Sequence, residues 1–292
     1  MLDFIINPKA GGKKKKNFSK ILLKLEALLQ ERQVSYAFHK TDSAGQATTL
    51  TKTLIESGAT DIVVIGGDGT LHEVINGFSN FEKVNLGIIP CGTGNDFATS
   101  IKLPSDPVEA LKIILDGTAK FTDFMQMPTV RGLNIIGTGI DVDVLRRYAA
   151  KKKKTKWAYT SCLIKTLFNF DYIDFDAEFN GKKENYRSFI ACVANGYRYG
   201  GGIPICPPAD PTDKKLDFLI VREIKPRLKI IPTFLKLKRG KILNVKQTEH
   251  SLVESIKISP VAPYTVNVDG ELYENIPFEV KIVSDKLKVY RP

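Results

Sequence analysis

The stretch DIVVIGGDGTLHEVINGF, residues 61–78, decides the fold of this chain. It begins with an apolar run of strand length, Asp61–Ile65, which is typical of a strand buried on both faces. Glycines follow at 66, 67 and 69, and a glycine-rich turn can direct backbone N–H groups toward a bound anion because glycine has no Cβ. The next apolar residues recur at helical spacing, at Leu71, Val74, Ile75 and Phe78. The stretch therefore predicts a strand, a phosphate-binding turn and a helix N-terminus, whose dipole also favours negative charge.

Asp68 lies inside this predicted anion-binding turn, where its carboxylate would repel a phosphate. The repulsion is relieved if a divalent metal or a hydrogen-bonded hydroxyl lies between the two groups, and Asp68 is then a chemical residue. In the alternative interpretation Asp68 caps the helix, a common role for Asp at strand-to-helix turns. The stretch alone leaves both interpretations open.

Composition indicates a globular protein of 292 residues, 43% of them hydrophobic, with one large core or two smaller ones. No apolar run approaches ~20 residues and the N-terminus lacks a signal-peptide pattern, so a cytoplasmic location is expected. The four cysteines form no C-x-x-C pair, which argues against a zinc site and against a disulfide framework. The histidines, His39, His72 and His250, also lack neighbours at metal-ligand spacing.

The net charge of +11 predicts a polyanionic neighbour, either nucleic acid or an anionic membrane surface. The excess lysines cluster at Lys13–Lys16, at Lys151–Lys156 and between Lys225 and Lys241. A lysine-rich solvated surface is the alternative for each cluster. The chain shows no zinc finger, helix-turn-helix or aromatic RNP motif, so no nucleic-acid partner is expected. The aromatic residues from Trp157 to Phe170 fit either a membrane-facing element or an ordinary core helix.

The first 120 residues alternate short strand patterns with helical ones, which predicts an α/β domain with a doubly wound, mostly parallel sheet. Ligands bind such sheets at the carboxyl ends of the strands. The predicted fourth strand, residues 85–90, leads into a second glycine-bearing loop at residues 91–98. Two such loops at one edge of the sheet would enclose a nucleoside triphosphate. Farther on, Asp106 is the predicted N-cap of a helix that has Pro107 at its first position.

After about Thr122 most strand patterns follow one another without an intervening helix, and Asn180-Gly181 is a hairpin signal. This region is predicted to be a β-rich antiparallel sandwich or barrel. One helix is predicted around residues 157–170 and another near 227–237, although Pro232 disfavours the second. Strands are predicted at residues 119–124, 133–136, 174–179, 187–194, 216–221, 252–258, 264–268 and 277–283.

Four motifs together resemble the diacylglycerol kinase catalytic family, particularly its soluble bacterial lipid kinases. They are Asn7-Pro8, the Gly-Gly-Asp-Gly-Thr of residues 66–70, the Gly-Thr-Gly-Asn-Asp of residues 92–96, and Asp269-Gly270-Glu271. NAD kinases share the second motif and sphingosine kinases are also relatives, but the third motif favours the lipid branch. The resemblance implies a nucleotide-binding domain at residues 1–122 and a lipid-substrate domain at residues 123–285, with a cleft between them. It also implies that residues 286–292 return to the first domain.

The resemblance also implies roles for individual residues. Asp68 becomes a catalytic residue and Glu271 matches the family's proposed catalytic base. A metal site is implied at Asp210, Asp213 and Lys215, although Lys214 stands where glycine is usual, and an ordinary hairpin turn is the alternative. The nucleotide-binding positions are Asn7, Pro8, Gly11, Thr41, Gly66, Gly67, Asp68, Gly69, Thr70, Leu71, His72, Thr93, Gly94, Asn95 and Asp96.

The implied function is an ATP- and Mg²⁺-dependent lipid kinase that phosphorylates the hydroxyl of diacylglycerol or of a similar membrane lipid. Such an enzyme would lie peripherally on the inner face of the membrane, and its oligomeric state is left open. The alternatives are an NAD kinase-like enzyme, a sphingosine-type kinase, and a non-catalytic basic module that binds membranes. The first alternative would release a soluble rather than a lipid product.

Overall fold

The deciding stretch folds as expected in the computed structural model, with a strand at Asp61–Gly66 and a helix at Asp68–Gly77. The structure describes residues 1–9, 15–151, 156–167, 169–261 and 264–292. The predicted nucleotide-binding residue Gly11 and the aromatic residue Phe168 lie outside this described part, as do Lys13, Lys14 and Lys152–Lys154 of the lysine clusters. By their contacts, the described residues form two units, Met1–Asp123 with Ser284–Pro292, and Phe124–Val283.

The first unit contains a six-stranded sheet with five helices. Its strands are β1 (Leu2–Ile6), β2 (Tyr36–Lys40), β3 (Asp61–Gly66), β4 (Asn85–Pro90), β5 (Ala119–Phe121) and a C-terminal strand (Lys288–Tyr290). Its helices are α1 (Lys15–Glu31), α2 (Gln46–Glu56), α3 (Asp68–Gly77), α4 (Asp96–Ser100) and α5 (Pro107–Asp116). The sheet order is β2-β1-β3-β4-C-terminal strand-β5, and only β5 pairs antiparallel. The carboxyl ends of β1 to β4 therefore meet at one edge.

Both faces of this sheet are covered, as the continuous apolar runs predict. Alternate residues of the strands form one cluster with α1 and α5: Phe4, Ile6, Val63, Ile65 and Ile89. The helices α2 and α3 pack against each other. The intervening strand residues are equally buried: Ile5, Ile62, Val64, Leu86 and Ile88. The prediction of a doubly wound α/β sheet is thus confirmed.

Two local contacts in this unit follow directly from its side chains. Asp106 Oδ1 accepts the N–H groups of Val108 and Glu109 at 2.8 and 3.1 Å, so α5 has the predicted N-cap. The C-terminal strand is anchored by Tyr290, whose hydroxyl donates to Asp61 Oδ1 at 2.6 Å. That bond joins the last residues of the chain to the start of β3.

The second unit is built on an antiparallel sheet of eleven strands, which confirms the predicted β-rich fold. Its strands are β6 (Phe124–Gln126), β7 (Arg131–Gly132), β8 (Ile135–Gly139), β9 (Ile173–Phe179), β10 (Lys182–Ala194), β11 (Leu216–Arg222), β12 (Thr248–Val253), β13 (Ser255–Pro260), β14 (Thr265–Val268), β15 (Glu271–Glu274) and β16 (Phe278–Val283). Its helices are α6 (Ile140–Ala149), α7 (Lys156–Leu167) and α8 (Ile230–Lys238), with short 3₁₀ turns at Arg227–Lys229 and Ile242–Asn244. The long strand β10 pairs with β8, β9 and β11.

The elements differ from expectation at several places, including α4, β7 and β15, which were not predicted. The helix α6 was not predicted, and the single strand expected at residues 252–258 is two strands, β12 and β13. The strand expected at residues 119–124 is divided between β5 of the first unit and β6 of the second. Pro232 does not break α8 because it lies in the first turn, where its missing N–H would have no intrahelical partner. Within the described residues no helix combines the length and the apolar character needed to cross a bilayer.

Candidate active site

Four loops of the first unit emerge at the edge where the parallel strands β2, β1, β3 and β4 end. They carry Thr41, Asn7 with Pro8, the glycine loop after β3, and the glycine loop after β4. The described nucleotide-binding positions predicted from sequence therefore lie in neighbouring loops at one edge. Side-chain hydrogen bonds connect several of these loops.

The two glycine loops approach each other backbone to backbone at Gly67 and Gly92. A Cβ added to Gly67 would lie 2.9 Å from Gly92 Cα, and one added to Gly92 would lie 2.4 Å from Gly67 Cα. Such distances essentially do not occur for real side chains. Neither residue has a left-handed φ, so glycine is required here for close approach and not for an unusual backbone angle.

Asp68 connects the same two loops through its carboxylate. Its Oδ1 accepts the backbone N–H of Asp96 at 2.8 Å and that of Phe97 at 3.4 Å. These are first-turn N–H groups of α4, so Asp68 caps α4 rather than its own helix α3. The interpretation of Asp68 as the cap of its own helix is wrong, because the N-cap of α3 is Gly67 and no side chain caps that helix. The negative charge is thereby held between the loops.

Asn95 gives the second glycine loop its shape. It adopts the left-handed conformation, with φ 54°, immediately before α4. Its side-chain Oδ1 accepts Gly92 N–H at 2.9 Å and its Nδ2 donates to Gly92 O at 3.2 Å. Asn tolerates this conformation better than most residues do, and its amide closes the turn around residues 92–95.

The remaining loops are tied to this centre by Asn7 and Thr70. Asn7 Nδ2 donates to Thr70 Oγ1 at 2.9 Å, and Asn7 Oδ1 accepts the N–H of Lys9 at 2.9 Å. Thr70 fills the space beside Gly66, where an added Cβ would lie 2.8 Å from Thr70 Cβ. The hydroxyl of Thr41 instead donates to Ile6 O at 3.2 Å and is buried, so it fixes the end of β2 beside β1.

Burial separates the predicted nucleotide-binding residues into two groups. Gly69 and Thr93 are exposed, and the side chains or backbones of Pro8, Gly67, Asp68, Gly94 and Asn95 are partly exposed. Those with buried side chains could reach a ligand only through their backbone atoms: Thr41, Thr70, Leu71, His72 and Asp96. The backbone N–H of Asp96 is already bonded to Asp68.

In the second unit, the hairpin of β14 and β15 holds two carboxylates in very different surroundings. The Asp269 carboxylate accepts three backbone N–H groups, from Leu133 at 2.6 Å, Asn134 at 2.9 Å and Ile135 at 2.9 Å. The Glu271 side chain is exposed and makes no hydrogen bond or ion pair with the described residues. Asp269 therefore holds the turn to the start of β8, while the Glu271 carboxylate remains available.

The predicted metal site at Asp210, Asp213 and Lys215 is an exposed turn. Asp210 Oδ1 accepts the N–H and the hydroxyl of Thr212 at 3.0 and 2.7 Å, and Asp213 Oδ1 accepts Lys215 N–H at 2.9 Å. The ammonium group of Lys215 pairs with Glu254. Lys214 has φ 62°, the left-handed conformation that glycine favours. The turn chemistry accounts for these residues, and the metal site stays a prediction.

Sequence reasoning missed two clusters in the second unit. Asp141, on the first turn of α6, is buried, and burial raises the pKa of its carboxyl to about 6, although a hydrogen bond from Asn267 Nδ2 at 2.8 Å lowers it in part. The second cluster brings together Cys206, Asp217 and His250. The only sequence signal for the Asp141 cluster is an acidic residue at the start of a helix. The cluster of Cys206, Asp217 and His250 has no signal in local spacing, because its residues are far apart in sequence.

Comparison with known proteins identifies both units. The model of the diacylglycerol kinase catalytic domain matches residues 2–127, and that of the YegS C-terminal NAD kinase beta sandwich-like domain matches residues 134–291. The chain is 26% identical to "Diacylglycerol kinase" of Staphylococcus carnosus, covering 99% of this chain and 94% of that one. It is 29% identical to "Probable lipid kinase YegS-like" of Xanthomonas euvesicatoria, covering 90% and 89%.

A crystal structure of "a putative diacylglycerol kinase from Bacillus anthracis" has the same fold as this chain. It superposes with a TM-score of 0.79 at 25% identity and covers 100% of this chain and 96% of that chain. The likeness extends over both units and so agrees with the two family models.

The three N–H groups that Asp269 accepts predict a structural role for this residue. We expect Asp269→Asn to lower the free energy of unfolding by about 1–3 kcal/mol, because the amide replaces one acceptor oxygen with a donor that faces a buried N–H. Urea denaturation of the full chain measures the loss. Glu271→Gln, two residues away, is the matched control and should stay within about 0.5 kcal/mol. Equal loss in both variants would contradict the assignment.

Proposed function

The chain belongs to the diacylglycerol kinase family of ATP-dependent lipid kinases, and from that premise we propose that it transfers the γ-phosphoryl group of ATP, with Mg²⁺, to the hydroxyl of diacylglycerol or of a closely similar lipid. The observation that carries the proposal is the Asp68 carboxylate, held between two glycine loops at the carboxyl edge of a parallel sheet. A charge placed at a phosphate-binding edge has a chemical use only if a cation accompanies the phosphate.

The residues of the first unit fit a triphosphate with its metal. The first turn of α3 has backbone N–H groups without intrahelical partners, and the glycines beside it leave room for phosphate oxygens. Mg²⁺ prefers oxygen ligands and is commonly held by one or two carboxylates together with substrate phosphates, so Asp68 fits as its protein ligand. When bound, the metal would neutralise charge on the transferred group.

Glu271 is our candidate for the general base. Its carboxylate is exposed and uncommitted among the described residues, whereas that of Asp269 is occupied by three backbone N–H groups. A lipid hydroxyl is a poor nucleophile at neutral pH, and a carboxylate that accepts its proton typically contributes about 10²- to 10⁴-fold in rate. This contrast between neighbouring carboxylates supports the assignment over the competitor Asp269.

A basic surface on α8 supports the proposed binding to an anionic membrane. Leu228, Ile231 and Leu235 form an exposed apolar stripe just before and along this helix, with exposed fractions of 75, 45 and 46%. Its basic neighbours are Arg227, Lys229, Lys236, Lys238 and Arg239. An apolar stripe between cations is the pattern of a helix that lies in the interface of an anionic bilayer. Trp157, 84% exposed at the start of α7, adds an amphipathic aromatic ring to the same unit.

The role of Asp68 is tested by two substitutions that separate its charge from its capping bond. In Asp68→Asn the side-chain oxygen can still accept the N–H groups of Asp96 and Phe97, so we expect an unchanged melting temperature but loss of phosphoryl transfer by at least about 10³-fold. Asp68→Ala should lose both activity and stability. Transfer is measured with radiolabelled ATP and mixed micelles. Near-normal turnover of Asp68→Asn at saturating Mg²⁺ would show that Asp68 only caps α4 and has no role in the reaction.

The role of Glu271 is tested by Glu271→Gln, for which we expect kcat to fall by about 10²- to 10⁴-fold while the KM for Mg-ATP changes only a few-fold. Glu274→Gln on the same strand is the matched control, since Glu274 is also exposed and its carboxylate pairs with Arg146 at 3.5 Å. Full activity of Glu271→Gln, or loss of ATP binding in it, would reject the assignment. In that case the base is Asp269 or the substrate itself.

The substrate class is tested with a panel of acceptors under the same assay. Diacylglycerols, monoacylglycerols, sphingosine and NAD are each offered with radiolabelled ATP, and the products are separated into lipid and aqueous phases. We expect a lipid-phase product from diacylglycerol that depends on Mg²⁺. A product from NAD alone would contradict the lipid assignment, and no product from any acceptor would favour a non-catalytic membrane-binding module.

The membrane surface is tested by co-sedimentation with anionic vesicles. Changing Leu228, Ile231 and Leu235 to serine should weaken binding by about 100-fold, because each inserted side chain contributes on the order of 1 kcal/mol. Leu23→Ser on α1, which removes a leucine that is 65% exposed in the first unit, is the control. Binding should also fall with added salt and when Lys151–Lys154 are changed to alanine. Equal binding by wild type and the triple variant would show that the stripe stays in solvent.

A further inference from the structure

The strands β11 and β12 and the turn before them bring three metal-ligating side chains of the second unit together. In the antiparallel register Asp217 lies opposite Leu252 and His250 lies opposite Leu219, so the two polar side chains are diagonal neighbours on one face of the sheet. Cys206 lies in the turn before β11, where its N–H donates to Tyr197 O at 3.1 Å. Strand pairing, not sequence spacing, creates the group.

The geometry of this group is compact. One ligand atom from each residue, the Cys206 sulfur, an Asp217 carboxylate oxygen and a His250 ring nitrogen, all lie within 4.8 Å of one another. His250 Nε2 is 2.6 Å from Asp217 Oδ1. The Cys206 thiol is fully buried, and the His250 side chain is 26% exposed, so the group has one side open to solvent.

Asp217 supplies an independent indication of a ligand. Its side chain is only 1% exposed, yet its second oxygen, Oδ2, has no hydrogen-bond partner among the described residues. A buried carboxylate oxygen without a partner is unusual because it loses its hydration and gains nothing in return. The ion pair with His250 satisfies Oδ1, and the thiol of Cys206 offers the carboxylate no more than a weak S–H donor. A cation bound beside the carboxylate would satisfy Oδ2.

We propose that Cys206, Asp217 and His250 bind one Zn²⁺ ion, with a water molecule in the fourth position on the solvent side. Sulfur, imidazole nitrogen and carboxylate oxygen together are typical zinc ligands and do not suit Mg²⁺ or Ca²⁺. Tetrahedral zinc holds such atoms about 3.3–3.6 Å apart, so the His250–Asp217 pair opens by less than about 1 Å to admit it. The Cys206 thiol loses its proton to solvent as the Zn–S bond forms.

The proposed zinc ion would connect the two ends of one loop in the second unit. Cys206 and Asp217 flank residues 207–216, the turn that carries Asp210 and Asp213, so one ion bound by both would fix the two ends of this turn. His250 would join them to β12. The site is separate from the one that the family resemblance implies at Asp210, Asp213 and Lys215, and it is independent of the proposed kinase reaction.

The test titrates the metal-free protein with Co²⁺, a spectroscopic substitute for zinc, and then displaces the cobalt with Zn²⁺. We expect one equivalent of Co²⁺ to give a thiolate-to-cobalt charge-transfer band and tetrahedral visible bands, and Zn²⁺ to raise the melting temperature. Cys206→Ser should lose the charge-transfer band. Both Cys206→Ser and His250→Gln should lose at least about 100-fold in affinity, since even residues behind the ligands commonly cost 10- to 100-fold.

Cys162→Ser is the matched control, because Cys162 is another buried thiol of the second unit and lies outside the group. It should keep the band, the affinity and the zinc-dependent rise in melting temperature. A charge-transfer band that survives in Cys206→Ser places the metal elsewhere and overturns the proposal. Absence of the band in the wild type leaves a buried ion pair only and also overturns it. Because kinase activity is not the readout, neither result bears on the proposed function.

Discussion

The contact between Gly67 and Gly92 is the constraint on which the rest of the first unit's site depends. The backbones of the two loops touch so closely that a Cβ on either residue would overlap the other's Cα. The parallel pairing of β3 with β4 brings the loops side by side, but pairing alone sets strand axes about 4.8 Å apart and does not bring the turns into contact. Only two glycines permit the last approach. Without that approach the Asp68 carboxylate would not reach the first turn of α4.

The bond from Asp68 to α4 shows how one carboxylate can be both structural and chemical. Accepting the N–H groups of Asp96 and Phe97 fixes its position and places its charge at the positive end of a helix. This position costs little free energy when no metal is bound, because the carboxylate already accepts two backbone N–H groups. A cap on α4 and a metal ligand are therefore compatible roles for Asp68. Substitution by asparagine separates them because it keeps the acceptor and removes the charge.

The sequence predicts the features whose signals are local and misses those made by tertiary contacts. The apolar run before Gly66 and the Asp106-Pro107 cap are complete in a few residues, and both were predicted correctly. The helix α6 was missed because it starts directly after β8, at Gly139 with φ 113°, so no polar break separates strand from helix. Asp269 precedes a glycine, so the sequence indicates a turn residue. It does not indicate the three N–H groups that Asp269 accepts, because they lie more than a hundred residues earlier. Strand register, which one sequence does not encode locally, also brings His250 to Asp217.

Lys214 departs from the family pattern and adopts a backbone conformation that glycine favours. The resemblance implies glycine at this position, and the lysine has a left-handed φ of 62°. A non-glycine residue in that region costs about 1–2 kcal/mol, so the turn needs compensation. Asp213 provides part of it by accepting the N–H of Lys215, and the Lys215 ammonium pairs with Glu254 beyond the end of β12. A cation held by Cys206 and Asp217 would add a further restraint at the two ends of the same turn. The loop thus tolerates the lysine because its conformation is determined by contacts on both sides of the substituted position.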